Sequence, residues 1–156
     1  MPSQNYKSNN TRLSEHFTLA EFTKSDTAQK YGIDNTPNES EIENLRFLCV
    51  HCLEPLREKF GPIIINSGYR SKALNSHPEI KGVSTSQHLK GEAADIRIPS
   101  IAKGKEYFEF LKSLPAYDQL IWERKSPRSN SYWIHISIRR NGKNRKEVIP
   151  LLTKNK

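Results

Sequence analysis

Ser86-Gln87-His88-Leu89-Lys90-Gly91-Glu92-Ala93-Ala94-Asp95-Ile96-Arg97-Ile98 is the stretch on which the fold turns. Gly91 marks a tight turn where a loop can meet a strand. From Ala93 onward the residues alternate. Ala94, Ile96 and Ile98 take one face, and Ala93, Asp95 and Arg97 take the other. A short run of period two predicts a strand with one face on a core. Asp95 in its middle is an anomaly, because a lone buried carboxylate is unfavourable unless a cation or a metal pairs with it.

Working outward, Tyr132 to Ile138 repeats the pattern. Ile134, Ile136 and Ile138 make a core face, while Trp133, His135 and Ser137 point the opposite way. Asp118 to Glu123 is predicted as a further strand, joined to it by a polar loop. A helix is expected over about 101–114, with Ile101, Phe108, Leu111 and Leu114 inward. Upstream, the β-branched run Ile63-Ile64-Ile65 predicts a buried strand. Ser67-Gly68-Tyr69-Arg70-Ser71 leaves it as a turn, and residues 72–87 form a long irregular loop of the kind that is often functional. The main helix spans about 39–59. Asn38 caps it by accepting from the amide of Glu41, Pro55 kinks it near His51, and Gly61-Pro62 ends it. Thr18 and Glu21 have capping-box spacing for a short helix, and another, about Asp26 to Tyr31, stops at Gly32. Order is expected from near Phe17, and the polar residues 1–12 are expected to be disordered. The sum is α+β: helices packed on one face of a small, mostly antiparallel sheet, with residues 13–156 forming one domain.

Composition narrows the classes. A chain of 156 residues buries a core without staples, so a metal would serve function rather than folding. No run of about 18 apolar residues occurs, which predicts no membrane span. The net charge of +8 is compatible with nucleic acid, with an anionic polymer, or simply with a basic solvated surface. Its one concentration is Arg139, Arg140, Lys143, Arg145 and Lys146, and no nucleic-acid-binding motif accompanies it. Cys49 and Cys52 have no second thiol pair. They share the apolar face of the main helix with Leu45, Leu48, Leu53 and Leu56, so they are expected to be core residues.

Two imidazoles and one carboxylate remain to be explained: His88, Asp95 and His135. They are suitable zinc ligands, and three protein ligands leave a fourth position open for catalysis. Taken alone, the spacing leaves other roles open. A strand histidine is often just hydrogen-bonded, and Asp95 could pair with Arg70 or Arg97.

The stretch Ser86 to Asp95 resembles, at every fixed position, the S-x-H-x-x-G-x-A-x-D signature of the zinc D-Ala-D-Ala carboxypeptidases. Ser67-Gly68-Tyr69-Arg70 is similar to the S-G-[YF]-R segment of that family, and Asp118–Glu123 and Trp133–Ser137 resemble its last two strands. The resemblance runs from about Phe17 to Ile138. It implies the fold shared with the hedgehog signalling domain, one zinc ion held by His88, Asp95 and His135, and an Arg70 that binds substrate or steadies a developing oxyanion. It implies hydrolysis of D-amino-acid-containing bonds in peptidoglycan stem peptides, by a carboxypeptidase or an endopeptidase.

One departure stands out. Several relatives carry a catalytic glutamate three residues before the last histidine, and here that position is Tyr132. Glu123 is the nearest acid upstream, and a hairpin would return it to the metal, so it is the expected general base. Ser86 is expected to bind substrate or to hold the loop before His88. The rivals are a non-catalytic zinc module of the same fold and a basic nucleic-acid-binding protein. The remaining expectations are a monomer, an anionic wall polymer as a possible partner, and no secretory signal in Met1 to Arg12. Such a chain stays in the cytoplasm as synthesised, or reaches a wall by phage lysis or another non-classical route.

Overall fold

The structure, a computed structural model, describes residues 11–155. Most of the segment expected to be disordered, residues 1–10, lies outside these. Thr11 and Arg12 are already paired: the amide of Leu19 donates to the Thr11 carbonyl at 2.7 Å, and Arg12 bridges Thr18. Ordered pairing thus starts ahead of Phe17.

Two short helices, α1 (Leu19–Thr23) and α2 (Asp26–Tyr31), precede α3 (Glu39–Leu48). Asn38 caps α3 as expected. Its Oδ1 accepts from the Glu41 amide, the Glu41 carboxylate accepts from the Asn38 amide, and both bonds are 2.8 Å. The main helix does not simply kink. Cys49–Leu53 widens into a π-turn, after which α4 (Glu54–Phe60) resumes with Pro55 in its first turn, where a missing N–H is tolerated.

The sheet has five strands: β1 (Ile65–Ser67), β2 (Ala93–Arg97), β3 (Gln119–Arg124), β4 (Tyr132–Ser137) and β5 (Glu147–Thr153). Their order is β1-β2-β4-β3-β5, antiparallel except for the β3–β5 pair. β5 has no counterpart in the sequence expectations. Between β1 and β2 lie α5 (Lys72–Asn75) and a 3₁₀ turn (Gln87–Lys90), and α6 (Ile101–Lys112) links β2 to β3. The architecture is the expected α+β one.

Two details correct the expectations. The triple isoleucine only leads into β1: Ile63 and Ile65 are buried but Ile64 is exposed, so this segment alternates. Ile101 is exposed at the start of α6, while Phe108, Leu111 and Leu114 face inward. The core joins Ile96, Leu120, Ile134 and Ile136 of the sheet to Leu45, Leu48 and Leu53 of the long helix. Cys49 and Cys52 lie in that core, as their spacing predicted. Burial pushes both thiols up, Cys52 to about 12.

Alternation along β2, β3 and β4 leaves Asp95, Ile121 and His135 on the face away from that core. The register sets the three in one cross-strand row, with Asp95 opposite His135 and His135 opposite Ile121. Gly91 makes this possible. Its φ of 73° suits glycine, and a Cβ there would lie 2.5 Å from the Glu41 carbonyl oxygen. The turn carrying His88 is thereby seated against α3.

Candidate metal centre

His88 enters the site from the 3₁₀ turn. The Ser86 hydroxyl accepts from the His88 amide at 3.2 Å and caps that turn. The Arg70 amide donates to the His88 carbonyl at 3.0 Å, which ties the turn after β1 to the turn before β2. Asn35 braces the first of these. Its Oδ1 accepts from the Ser71 amide at 2.7 Å, and its Nδ2 donates to the Tyr69 carbonyl at 3.1 Å.

Donor atoms of His88, Asp95 and His135 all lie within 4.8 Å of one another. His135 Nδ1 is 3.0 Å from Asp95 Oδ1, and His88 Nε2 is 3.3 Å from the same oxygen. The other ring nitrogen of His88, Nδ1, is 2.6 Å from the Gly68 carbonyl oxygen. A carbonyl only accepts, so Nδ1 carries the proton. Burial pushes the His88 pKa down against the pull of Asp95, which favours the neutral ring. A neutral His88 protonated on Nδ1 turns a lone pair from Nε2 toward an anionic oxygen 3.3 Å away. Two such acceptors repel unless a cation lies between them. The donor set therefore fits a metal ion.

Glu123 sits at the next position along the same face, its carboxylate 3.9 Å from His135 Nδ1. Burial raises its pKa, the charge of Asp95 adds to the rise, and His135 opposes it. Tyr132, three residues before His135, lies on the other face and packs its ring on Trp122. In this strand the third residue before His135 faces away from it.

Among the described residues Arg70 forms no ion pair with Asp95; its Nη1 donates to Asn75 Oδ1 at 3.1 Å. Burial lowers its pKa, and the charges of Asp95 and Glu123 oppose the drop. Arg70, Ser86, the three cluster residues and Glu123 all line one cleft of about 610 Å³. A hollow of similar size over α1 and α2 holds no such cluster among the described residues. The sequence expectations did not anticipate the far wall of the cleft, where Ile149 and Leu152 of β5 and Lys154 beyond it stand.

The sequence profile of the family described as Peptidase M15 matches residues 15–137. The chain belongs to the Peptidase M15 family. No curated protein matches it. As a member of this family the chain is a metallopeptidase that acts on peptides. The matched span covers β1 to β4 and every residue of the cluster, whereas β5 lies beyond it. Among the described residues no helix is long and apolar enough to cross a membrane.

Proposed function

We propose that this M15 peptidase is zinc-dependent and hydrolyses D-amino-acid-containing bonds in peptidoglycan stem peptides, with His88, Asp95 and His135 holding one ion. The observation that carries the reading is the His88 lone pair facing Asp95 Oδ1, an arrangement that calls for a cation. Two imidazoles and a carboxylate suit zinc and leave a coordination position open. When bound, zinc would polarise a peptide carbonyl and acidify a water molecule.

The chain's own groups do the rest. The Glu123 carboxylate takes the proton of the attacking water and later delivers it to the leaving amine. Its raised pKa suits both steps, since a general base works best near the operating pH. The guanidinium of Arg70 orients the substrate and meets negative charge that develops on the carbonyl oxygen. Ser86 fixes the turn that carries His88 and offers its hydroxyl to the substrate backbone.

Digestion of purified wall fragments with and without a chelator, followed by mass spectrometry, tests the reading. Loss of D-alanine or an internal cut, abolished by chelator and restored by zinc, is the expected result. Unchanged fragment masses after prolonged digestion would refute it.

A further inference from the structure

The cleft does not end at the cluster. It continues along β3, where Gln119, Ile121 and Glu123 line it in turn. Past Gln119 stand Arg139 and Arg145, which also line it. Both are held from behind by Asp118, whose side chain is wholly buried. Arg145 donates to Asp118 through Nε at 3.1 Å, through Nη2 at 2.7 Å and through its backbone amide at 2.9 Å. Arg139 Nε lies 3.5 Å from the same carboxylate.

One carboxylate thus fastens two guanidinium groups that are 34% and 49% exposed. Glu147 offsets part of the Arg145 charge from 3.7 Å, but it makes no hydrogen bond to it and its Oε1 accepts from Gln119 at 2.8 Å, so Arg139 shares only Asp118. Arg139 spends one Nη1–H on the Lys143 carbonyl at 3.4 Å and Arg145 spends Nε and Nη2 on Asp118, and the N–H donors that remain on these fixed guanidinium groups suit a carboxylate.

The spacing defines a ruler. Ile121 is directly opposite His135, and Asp118 lies three residues earlier, about 10 Å along a strand. An extended peptide has nearly the same rise per residue. A substrate laid along β3 from the cluster toward Gln119 would bring its third residue from the cleaved bond to the arginines.

We propose that Arg139 and Arg145 form an anion subsite for a carboxylate borne by the substrate about three residues from the cleaved bond. The subsite rests on the peptidase reading above and adds a substrate class to it: peptides carrying a free carboxylate at that place, in preference to the carboxamide.

The test uses two synthetic peptides ending in D-Ala-D-Ala. They differ only in a carboxylate or a carboxamide on the residue three places before the terminal bond. With zinc-loaded full chain, kcat/KM for the acid is expected to exceed that for the amide by about tenfold or more, the worth of a charge-assisted contact. In Arg139→Gln this ratio falls toward one, and Arg139→Lys retains part of it. Calorimetry with both peptides gives the same ratio from binding alone. Equal values for the two peptides, or a ratio that Arg139→Gln does not move, would overturn the subsite. A binding preference without hydrolysis of either peptide would support the subsite and refute cleavage at the terminal D-Ala-D-Ala bond.

Discussion

The Nδ1–H of His88 donates to the carbonyl oxygen of Gly68 at 2.6 Å, and a larger residue at position 68 would collide with α1. A Cβ at Gly68 would lie 2.7 Å from the Phe22 Cβ and 2.8 Å from the Phe22 carbonyl oxygen in α1. Gly68→Ala should therefore shift the turn, release the His88 ring and weaken zinc binding by roughly 10-fold or more, the usual effect of losing a partner that orients a ligand. A competition titration against a chromophoric chelator checks this. Unaltered affinity in a folded Gly68→Ala protein would show that Gly68 does not orient the ring.

Zinc content follows from the same geometry. About one zinc per chain is expected, and none in the double variant His88→Ala, His135→Ala. Elemental analysis that finds full occupancy in the double variant would remove the cluster from consideration as the metal site.

Glu123→Gln keeps the shape of the side chain and removes the proposed base. The variant should fold, keep its zinc and lose on the order of 100-fold or more in kcat. Near-normal turnover would take the proton-transfer role away from Glu123. Asp118 would not inherit it, because that carboxylate is occupied by Arg145.

Arg70→Lys keeps a positive charge but loses the planar fork. Zinc content should be unchanged while kcat/KM falls by about tenfold or more, since charge-assisted hydrogen bonds are worth roughly 1.5–3 kcal/mol each. Full turnover by the lysine variant would leave Arg70 only its hydrogen bond to Asn75.

These residues were legible in the sequence for a definite reason. Asp95 and His135 are polar side chains in strands whose neighbours are apolar, so the alternation that predicts the strands also exposes the exceptions. The capping of α3 by Asn38 and the turn at Gly91 depend on neighbours a few residues away, and local sequence carries such signals. β5 was not legible. Pro150 interrupts it where the ladder slips between Ile149 and Leu152, and Leu151 and Leu152 are exposed, so it shows no clean period. Nor does any local signal connect Asp118 to Arg145, since only the return of β5 beside β3 brings them together. The five basic residues from Arg139 to Lys146 fit a solvated edge as well as a binding surface when read as sequence. In the structure two of them are anchored at the cleft.

Asp118 supplies the last prediction, which concerns stability against pH. Burial alone would raise its pKa, but the side-chain and backbone hydrogen bonds from Arg145, with Arg139 beside them, outweigh burial and hold it below the ordinary carboxylate value. A carboxyl whose pKa is lower folded than unfolded stabilises the fold above its unfolded pKa, about 3.9, and the contribution is lost as pH falls through the folded value. Asp118→Asn should therefore cost about 2 kcal/mol at pH 7, a figure kept modest because Arg145 is half exposed and can be hydrated when its partner is gone. The difference between the parent protein and the variant should stay constant from pH 7 to about 5 and narrow below about 4. Urea unfolding at a series of pH values measures it directly. If the stability curves of the parent and of Asp118→Asn ran parallel down to about pH 3, the ionised carboxylate would not be the source of the stability.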